Sequence, residues 1–249
     1  MRAVPGMHPR WIVPDWPAPA RVRAFVTTRD GGVSEGAYAS MNLSASNGDD
    51  PERVARNREI LRAALPEMPR WMRQVHGTAV LDLDRSVEER PTADAAVART
   101  PGKVCNVLTA DCLPLMLCDT AGRRVAIAHA GWRGLAAGVI ENAVAALDAS
   151  PREVIAWMGP AIGPRAFEVG PEVREAFVAK SANAAEAFVP HAPGKFLGDL
   201  YVLARQRLAA LGVERVFGGG FCTYHETGRF FSYRREKLSG RMGAFIWMV

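Results

Sequence analysis

The sequence predicts a mixed α/β fold in which a sheet of parallel and antiparallel strands is flanked by helices. Two apolar runs, at residues 113–118 and 125–130, are too short for helices and are separated by turn residues, so each predicts a buried strand. Residues 135–147 instead carry one helical stripe of apolar side chains. Because some strands are joined by turns and others by helices, we expect a mixed sheet rather than a purely parallel one.

The other elements follow from local patterns along the chain. Asp50 as N-cap and Pro51 at the first helical position predict a helix through Leu65, where Pro66 stops it. Apolar and β-branched runs predict the strands, and amphipathic runs predict the helices. Further strands are predicted at 23–28, 70–77, 78–83, 92–98, 154–158, 230–235 and 244–248, a short extended piece at 167–169, and further helices at 171–180 and 199–211.

Length and composition predict a single domain over residues 1–249, with residues 1–22 as an N-terminal arm. A hydrophobic fraction of 49% with 23% charged residues is typical of a globular chain and argues against disorder. No linker or low-complexity run divides the chain. The sequence has neither a signal-peptide core nor 18 uninterrupted apolar residues, which predicts a cytoplasmic protein without a membrane partner.

The charge pattern favours a small anionic partner over nucleic acid. The net charge is +5, yet the basic clusters are pairs such as Arg123-Arg124 rather than tracts, so we expect no nucleic-acid partner. The positions of the four cysteines resemble no small secreted disulfide framework, and free thiols are predicted. The sequence predicts no particular oligomeric state.

Three metal-competent side chains, His76, Cys112 and His129, stand at ends of predicted apolar strands. Two imidazoles and one thiolate form a three-ligand set with an open fourth position, which is typical of catalytic zinc. Such a zinc ion polarises a substrate oxygen or activates water. The alternative needs no metal: Cys112 acts as a nucleophile with His129 or His76 as its base. The spacing does not separate these two readings, because neither a C-x-x-C nor an H-E-x-x-H signature is present.

Five longer motifs carry a family resemblance that runs from Phe25 to the C-terminus. Together they resemble the YfiH/laccase-domain family of purine nucleoside phosphorylases. The chain departs from that pattern at Asn47, where relatives often carry histidine. The motifs are R-Q-V-H-G (73–77), L-T-A-D-C-L-P (108–114), A-H-A-G-W-R-G (128–134), G-P-A-I-G-P with F-E-V-G (159–170), and F-F-S-Y-R-R (230–235).

The resemblance implies a single-domain α/β fold, a YfiH-like layered sandwich with a two-sheet core flanked by helices. It also implies a zinc site at His76, Cys112 and His129, and phosphorolysis of adenosine, inosine and S-methyl-5'-thioadenosine with adenosine deaminase as a side activity. The family has other names, polyphenol oxidase and peptidoglycan editing factor, which imply copper chemistry and amide hydrolysis by a cysteine nucleophile. Five histidines without a His-x-His pair argue against a four-copper site, although copper is an alternative occupant of the zinc site.

Phosphorolysis requires a phosphate site and a group that assists departure of the purine. Arg73, Arg133 and Arg234 are the cations nearest the motifs, and a guanidinium suits phosphate better than an ammonium does. A solvent-facing arginine is the alternative reading for each of them. The H-x-E and P-C-x-x-C signatures of zinc nucleobase deaminases are absent, so Asp111 is the nearest acid/base candidate for deamination.

The nucleoside itself needs hydrogen bonds to the ribose and a surface that stacks on the purine. Asn42, in a polar loop, is the candidate partner of a ribose hydroxyl, or it caps a turn. Tyr233 and Phe231 are candidates for stacking, whereas aromatic residues at alternating spacing are more often part of a core. The nucleoside contacts are therefore expectations that depend on where the chain brings these residues.

Overall fold

A computed structural model describes residues 4–249, so the first three residues of the predicted N-terminal arm lie outside the described residues. The described chain forms strands and α-helices, with three short 3-10 helices at Gly36–Tyr38, Pro151–Glu153 and Ala182–Ala187. The strands are β1 (Val22–Val26), β2 (Val80–Asp82), β3 (Ala95–Ala98), β4 (Cys105–Thr109), β5 (Leu113–Asp119), β6 (Val125–Ala130), β7 (Val154–Met158), β8 (Glu168–Val169), β9 (Phe188–Pro190), β10 (Phe196–Gly198), β11 (Arg215–Gly218) and β12 (Met242–Met248). The helices are α1 (Pro51–Arg62), α2 (Trp132–Ala137), α3 (Val139–Leu147), α4 (Pro171–Val178), α5 (Leu200–Ala210) and α6 (Tyr233–Glu236).

The strands form one large mixed sheet and two smaller antiparallel ones. The large sheet has the order β11-β7-β5-β6-β3-β2, with parallel pairs at its two edges and antiparallel pairs between them. A second sheet has the order β1-β12-β4, and a third has the order β8-β10-β9. The predicted mixed sheet is therefore confirmed, whereas the third sheet was not predicted.

The six-stranded sheet and the β1-β12-β4 sheet pack face to face and form the core between them. Met116 and Ile127 of the six-stranded sheet belong to the same buried cluster as Val107 and Ile246 of the three-stranded sheet. Successive side chains of a strand point to opposite faces, so the alternate residues of β5 and β6 form a second cluster with the helices. The predicted two-sheet core flanked by helices is confirmed.

Helices cover the outer faces of both sheets. Leu115 and Leu117 of β5 pack with Ile140 of α3 and Leu203 of α5 on one side. On the other side, the three-stranded sheet packs against α1 and the N-terminal segment, where Trp11 stacks on Phe25 with ring centroids 5.2 Å apart. The side chain of Asp50 accepts a hydrogen bond from Glu52 N, which confirms the predicted N-cap of α1.

Three predicted elements differ from the structure in type or continuity, and α1 ends at Arg62 rather than at the predicted Leu65. Residues 70–77 are not a strand: only Arg73 forms a bridge, to Thr92, because the backbone then turns through His76 at φ 59°. Residues 230–235 are not a strand either, since Ser232 caps the short helix α6. The predicted helix at 135–147 is two helices, because Gly138 between α2 and α3 adopts φ 116°. The single-domain organisation stays a prediction.

Candidate active site

The structure brings His76, Cys112 and His129 together from three separate parts of the chain. Their potential ligand atoms all lie within 4.8 Å of one another. His76 Nε2 lies 3.7 Å from Cys112 Sγ, and the two imidazole rings are 4.8 Å apart at 62°. Two nitrogens and one sulfur gathered in this way form a candidate site for one metal ion.

Pairing of β5 with β6 places two members of the group side by side. His129 near the end of β6 pairs with Pro114 of β5, and Cys112 immediately precedes β5. His129 is buried, Cys112 is partly exposed, and His76 is exposed. The group therefore runs from the core outward and meets solvent on the His76 side.

His76 reaches the group from a tight turn rather than from the predicted strand end. Its φ of 59° lies in the left-handed region, which is costly for a non-glycine residue and is found most often where surrounding contacts enforce it. Gln74 supports the segment by exchanging two hydrogen bonds with the backbone of Leu108 in β4, at 2.8 and 2.9 Å. These contacts explain how an irregular segment holds a defined position.

One buried carboxylate, that of Asp94, joins the two histidines. Its Oδ1 accepts hydrogen bonds from His129 Nδ1 and His76 N, both at 2.9 Å. Its Oδ2 accepts from the backbone N–H groups of Val75 and Gly77 at 3.1 and 2.8 Å. The bond to Nδ1–H leaves Nε2 of His129 free to bind a metal. Asp94 was not among the residues predicted from the sequence, although an Asp within the apolar run 92–98 is a signal, because a buried carboxylate needs partners.

The electrostatics of the group favour the thiolate form of Cys112. Burial alone would raise the pKa of this thiol, but nearby His129 and His76 outweigh burial and lower the pKa to about 6. Burial would likewise lower the pKa of His129, but the Cys112 thiolate and Asp94 raise it to about 9. Burial would raise the pKa of Asp94, and its hydrogen bonds from His129, Gly77 and Val75 lower it overall. A thiolate and two oriented imidazoles fit zinc, since the metal binds deprotonated sulfur.

Gly131 has no side chain, and this leaves the space that the side chains of Cys112 and His76 occupy. A Cβ on Gly131 would lie 2.7 Å from Cys112 Sγ and 2.9 Å from His76 Cδ2, closer than side-chain atoms tolerate. Its backbone, at φ −64° and ψ 155°, would itself accept alanine. The absence of a side chain at this position is therefore required by the Cys112–His76 contact and not by the backbone.

If the group holds zinc, as the sequence predicts, we expect Gly131→Ala to lower the zinc content of the purified protein while the fold is kept, because the added methyl group pushes Cys112 and His76 apart. Zinc per chain and the thermal unfolding midpoint are the two measurements. Gly228→Ala is the matched control, since a Cβ there meets no atom within 4 Å. Equal zinc content in the two variants would contradict the steric role of Gly131.

The metal-competent group lies in a cleft of about 680 Å³. The cleft is strongly cationic, because five basic side chains line it and Asp111 supplies the one carboxylate among its lining residues. Such a surface favours an anionic ligand. The basic residues are Arg73, Arg133, Arg234, Lys237 and Arg241.

Four of the predicted substrate residues line this cleft. Arg73 bonds Thr92 Oγ1 through Nε and Nη2 at 3.1 and 2.9 Å, and the guanidinium of Arg133 lies 4.5 Å from the ring of Trp132. Arg234 Nη1 donates to the carbonyl of Glu168 at 2.7 Å. The cleft also includes Tyr233, which is 51% exposed, with Lys237 Nζ and the Arg241 guanidinium each 5.7 Å from its ring centroid.

Asp111 also lines the cleft, but its carboxylate is engaged. Oδ1 accepts a hydrogen bond from Thr223 Oγ1 and Oδ2 accepts one from Arg234 N, both at 2.6 Å. Its backbone carbonyl accepts from Ile162 N at 2.9 Å. Asp111 thus ties together three segments of the cleft wall.

Two residues expected at the nucleoside do not reach the cleft. Asn42 is fully buried, and its amide bonds Ser44, Asn47, Asp49 and the backbone of Arg241. It therefore organises the loop, in line with the turn-capping alternative. Phe231 is also fully buried and cannot stack on a ligand.

The cleft residues that were absent from the sequence-based candidates include one aromatic side chain, Trp132, and two cations, Lys237 and Arg241. Trp132 follows Gly131 within the motif at 128–134, so its position beside the cluster was a usable signal. Arg241 is half-buried, and burial lowers the pKa of its guanidinium. A half-buried cation beside a cleft is better stabilised by an anion than by water, but nothing in the local sequence of Arg241 signals its position.

Comparison with known proteins identifies the family. Residues 23–249 match the family described as multi-copper polyphenol oxidoreductase laccase. The chain belongs to this family. Within residues 4–249, one group of histidine, cysteine or acidic residues has the geometry to hold a metal, and it is the His76–Cys112–His129 group.

Relatives in this laccase family carry phosphorylase names. The chain is 56% identical to a purine nucleoside phosphorylase of Pseudomonas aeruginosa and 55% identical to the purine nucleoside phosphorylase YfiH of Escherichia coli, in each case over 96% of this chain and 98% of the relative. It also matches the crystal structure of a Neisseria meningitidis protein with a TM-score of 0.93 and 49% identity, over 96% of this chain and 99% of that one. The predicted YfiH resemblance is confirmed. No helix in the described part of the chain has the length and apolar character needed to span a membrane.

Proposed function

We propose that this chain is a zinc-dependent purine nucleoside phosphorylase that acts on adenosine, inosine and S-methyl-5'-thioadenosine. The observation that carries the proposal is the His76–Cys112–His129 group at a cleft lined by five basic side chains. Phosphate and the nucleoside are the two substrates, and the names of the relatives support both. Copper is the alternative occupant of the same three residues.

His76, Cys112 and His129 would hold the metal, which when bound supplies a Lewis-acidic positive charge in the cleft. The protein's own residues supply orientation. Asp94 keeps hydrogen on Nδ1 of His129 and fixes the turn that carries His76. Both imidazoles therefore face Cys112 before any substrate arrives, which reduces the reorganisation that catalysis requires.

The basic residues of the cleft bind and orient phosphate in this proposal. Arg133, Arg234 and Arg241 offer guanidinium groups, which match phosphate oxygens in pairs. Arg234 Nη1 already donates to the Glu168 carbonyl, so its other N–H groups are the ones offered to the ligand. Holding phosphate beside the ribose converts a two-substrate attack into a reaction between positioned groups.

Aromatic and acidic residues serve the nucleoside. Tyr233 and Trp132 present ring surface to the cleft and stack on the purine. Asp111 is held in place by two donors beside Cys112 and has the role of base in the adenosine deaminase side activity. Arg73 lies at the cleft with its guanidinium on Thr92 and adds positive charge for phosphate.

We expect consumption of adenosine by the zinc-loaded protein to require phosphate and to release adenine and ribose 1-phosphate in equal amounts. Product analysis with and without phosphate, and with and without a chelator, is the measurement. Conversion of adenosine to inosine at a rate independent of phosphate would make deamination the main activity. Turnover that survives complete removal of metal would overturn the zinc requirement.

A second candidate function rests on Cys112 itself. A thiol whose pKa is lowered to about 6 beside two imidazoles has the form of a cysteine nucleophile with its base. This arrangement favours a metal-free amide hydrolase, the activity implied by a role in peptidoglycan editing. The two functions make opposite demands on Cys112, so substitutions of this residue separate them.

A further inference from the structure

A second thiol–imidazole pair lies outside the cleft, in the turn that follows β11. Cys222 Sγ is 3.2 Å from Nδ1 of His225. The backbone N–H of Gly163 donates to the same sulfur at 3.3 Å. Neither Cys222 nor His225 belongs to the cleft lining, so the proposed phosphorylase reaction does not use them.

The local backbone holds the two side chains together. Glu226 N donates to the carbonyl of Cys222 at 2.9 Å, and Cys222 N donates to Glu226 Oε1 at 2.8 Å. One tight turn therefore carries both members of the pair. His225 is exposed and Cys222 is partly exposed, so the pair lies at the protein surface.

The other three thiols of the chain are in different surroundings. Cys105 and Cys118 are fully buried, and burial raises the pKa of both, that of Cys118 to about 12. Cys112 belongs to the proposed metal site, where a bound metal would occupy its sulfur. Outside the proposed metal site, Cys222 is thus the thiol that combines partial exposure with an imidazole at hydrogen-bonding distance.

We propose that Cys222 and His225 form a modification site for hydroperoxides. His225 accepts the thiol proton, and the sulfur attacks one oxygen of the peroxide. An S–O bond forms while the O–O bond breaks, and the leaving oxygen takes the proton from His225 and departs as water or an alcohol. The sulfur is oxidised by two electrons to sulfenic acid, and the peroxide is reduced. The Gly163 N–H stabilises negative charge on the sulfur before attack.

Two short connections link Cys222 to the cleft, so oxidation of its sulfur affects the cleft. Thr223, the next residue, donates to the carboxylate of Asp111 beside Cys112. On the other side the sulfur packs against Gly163, where an added Cβ would already lie 3.1 Å from it, so an extra oxygen displaces either this loop or the turn. Ile162, next to Gly163, lines the cleft and bonds Asp111. Sulfenic acid at Cys222 therefore lowers turnover, a step that rests on the proposed function.

The modification step is tested on the zinc-loaded full-length protein, treated with hydrogen peroxide and trapped with a cyclic 1,3-dione that reacts with sulfenic acids. Peptide mass spectrometry is expected to find the adduct on Cys222, and His225→Gln is expected to slow labelling about tenfold because the thiolate is the reactive form. His191→Gln is the matched control, since His191 is also exposed and lies against Glu168 rather than a thiol. Labelling of Cys222 no faster than that of buried Cys105, or equal rates in His225→Gln and wild type, would overturn the site.

The effect on the cleft is tested separately from the site itself. Peroxide is expected to remove most nucleoside turnover from the wild-type protein, with recovery in dithiothreitol, whereas Cys222→Ser retains its turnover. Full labelling of Cys222 with unchanged turnover would overturn the connection to the cleft. Absence of nucleoside turnover before any peroxide is added would count against the proposed function, and the labelling of Cys222 would still decide the modification site.

Discussion

Replacing Asp94 by asparagine is expected to weaken zinc binding about 10- to 100-fold, the usual cost of losing a residue that orients metal ligands. Asp94 accepts four hydrogen bonds, two on each oxygen. Asparagine keeps one acceptor oxygen and gains an NH2 group that accepts none. If the NH2 replaces Oδ1, it favours the His129 tautomer with hydrogen on Nε2, which then cannot bind metal. If it replaces Oδ2, the turn that carries His76 loses two of its three bonds.

The zinc affinity of Asp94→Asn is measured by competition with a chromogenic chelator, alongside the free energy of unfolding of the metal-free protein. Asp119→Asn is the matched control, because Asp119 is also a buried aspartate and accepts two backbone hydrogen bonds, from Arg123 and Arg124. Each unsatisfied buried donor costs about 1–3 kcal/mol of stability, so Asp94→Asn is expected to lose stability. Asp119→Asn keeps both of its backbone bonds, because both go to Oδ1, the oxygen that asparagine retains. Only Asp94→Asn is expected to lose zinc affinity. Unchanged zinc affinity in Asp94→Asn would show that Asp94 has a structural role and does not orient the metal ligands.

The sequence predicts the centre of the fold well because the central strands are specified locally. The apolar runs at 113–118 and 125–130 become β5 and β6, and their short turn leaves antiparallel pairing as the direct outcome. The N-cap of α1 is likewise a local signal, carried by Asp50 and Pro51. Such features are determined by residues that lie close together in the sequence.

The errors occur where distant contacts override the local pattern. Residues 70–77 alternate in polarity as a strand does, but the backbone instead wraps the Asp94 carboxylate, and Gln74 takes the place of strand pairing by bonding Leu108. The apolar start of 230–235 suggested a strand, whereas Phe230 and Phe231 are buried ahead of the cap at Ser232. Long-range hydrogen bonds are therefore the cause at 70–77, and tertiary burial is the cause at 230–235.

The residues of the candidate site show the same difference between local signals and distant contacts. His76, Cys112 and His129 were identified by their chemistry, since few residue types bind zinc, and the structure brings them within 4.8 Å. Asp94 and Arg241 were missed because their significance depends on partners far along the chain. Asp94 bonds His129, 35 residues away, and the backbone of Arg241 bonds Asn42, 199 residues away.

Replacing Cys112 is expected to have the largest effect of any substitution at the cleft. Cys112→Ala removes one of three proposed ligands, and we expect loss of bound zinc and a fall in phosphorolysis greater than the roughly 100-fold cost of losing an orienting residue. The fold is expected to persist, because Cys112 is only partly buried and an open metal site contributes less to folding than a closed one. Cys118→Ala, which removes a sulfur from the core, is the control that keeps its zinc.

Cys112→His then separates the phosphorylase from the amide hydrolase. As a metal ligand, Cys112 stays bound throughout the cycle, so a third imidazole is expected to retain some zinc and some turnover, and zinc is expected to slow alkylation of the wild-type thiol. As a nucleophile, the sulfur must form an acyl intermediate, so no imidazole replaces it and a chelator leaves the activity intact or raises it. Nucleoside phosphorolysis and cleavage of a muropeptide-precursor amide are measured side by side, each with and without chelator. We expect chelator-sensitive phosphorolysis without amide cleavage; amide cleavage that survives the chelator and disappears in Cys112→His would assign the site to the hydrolase instead.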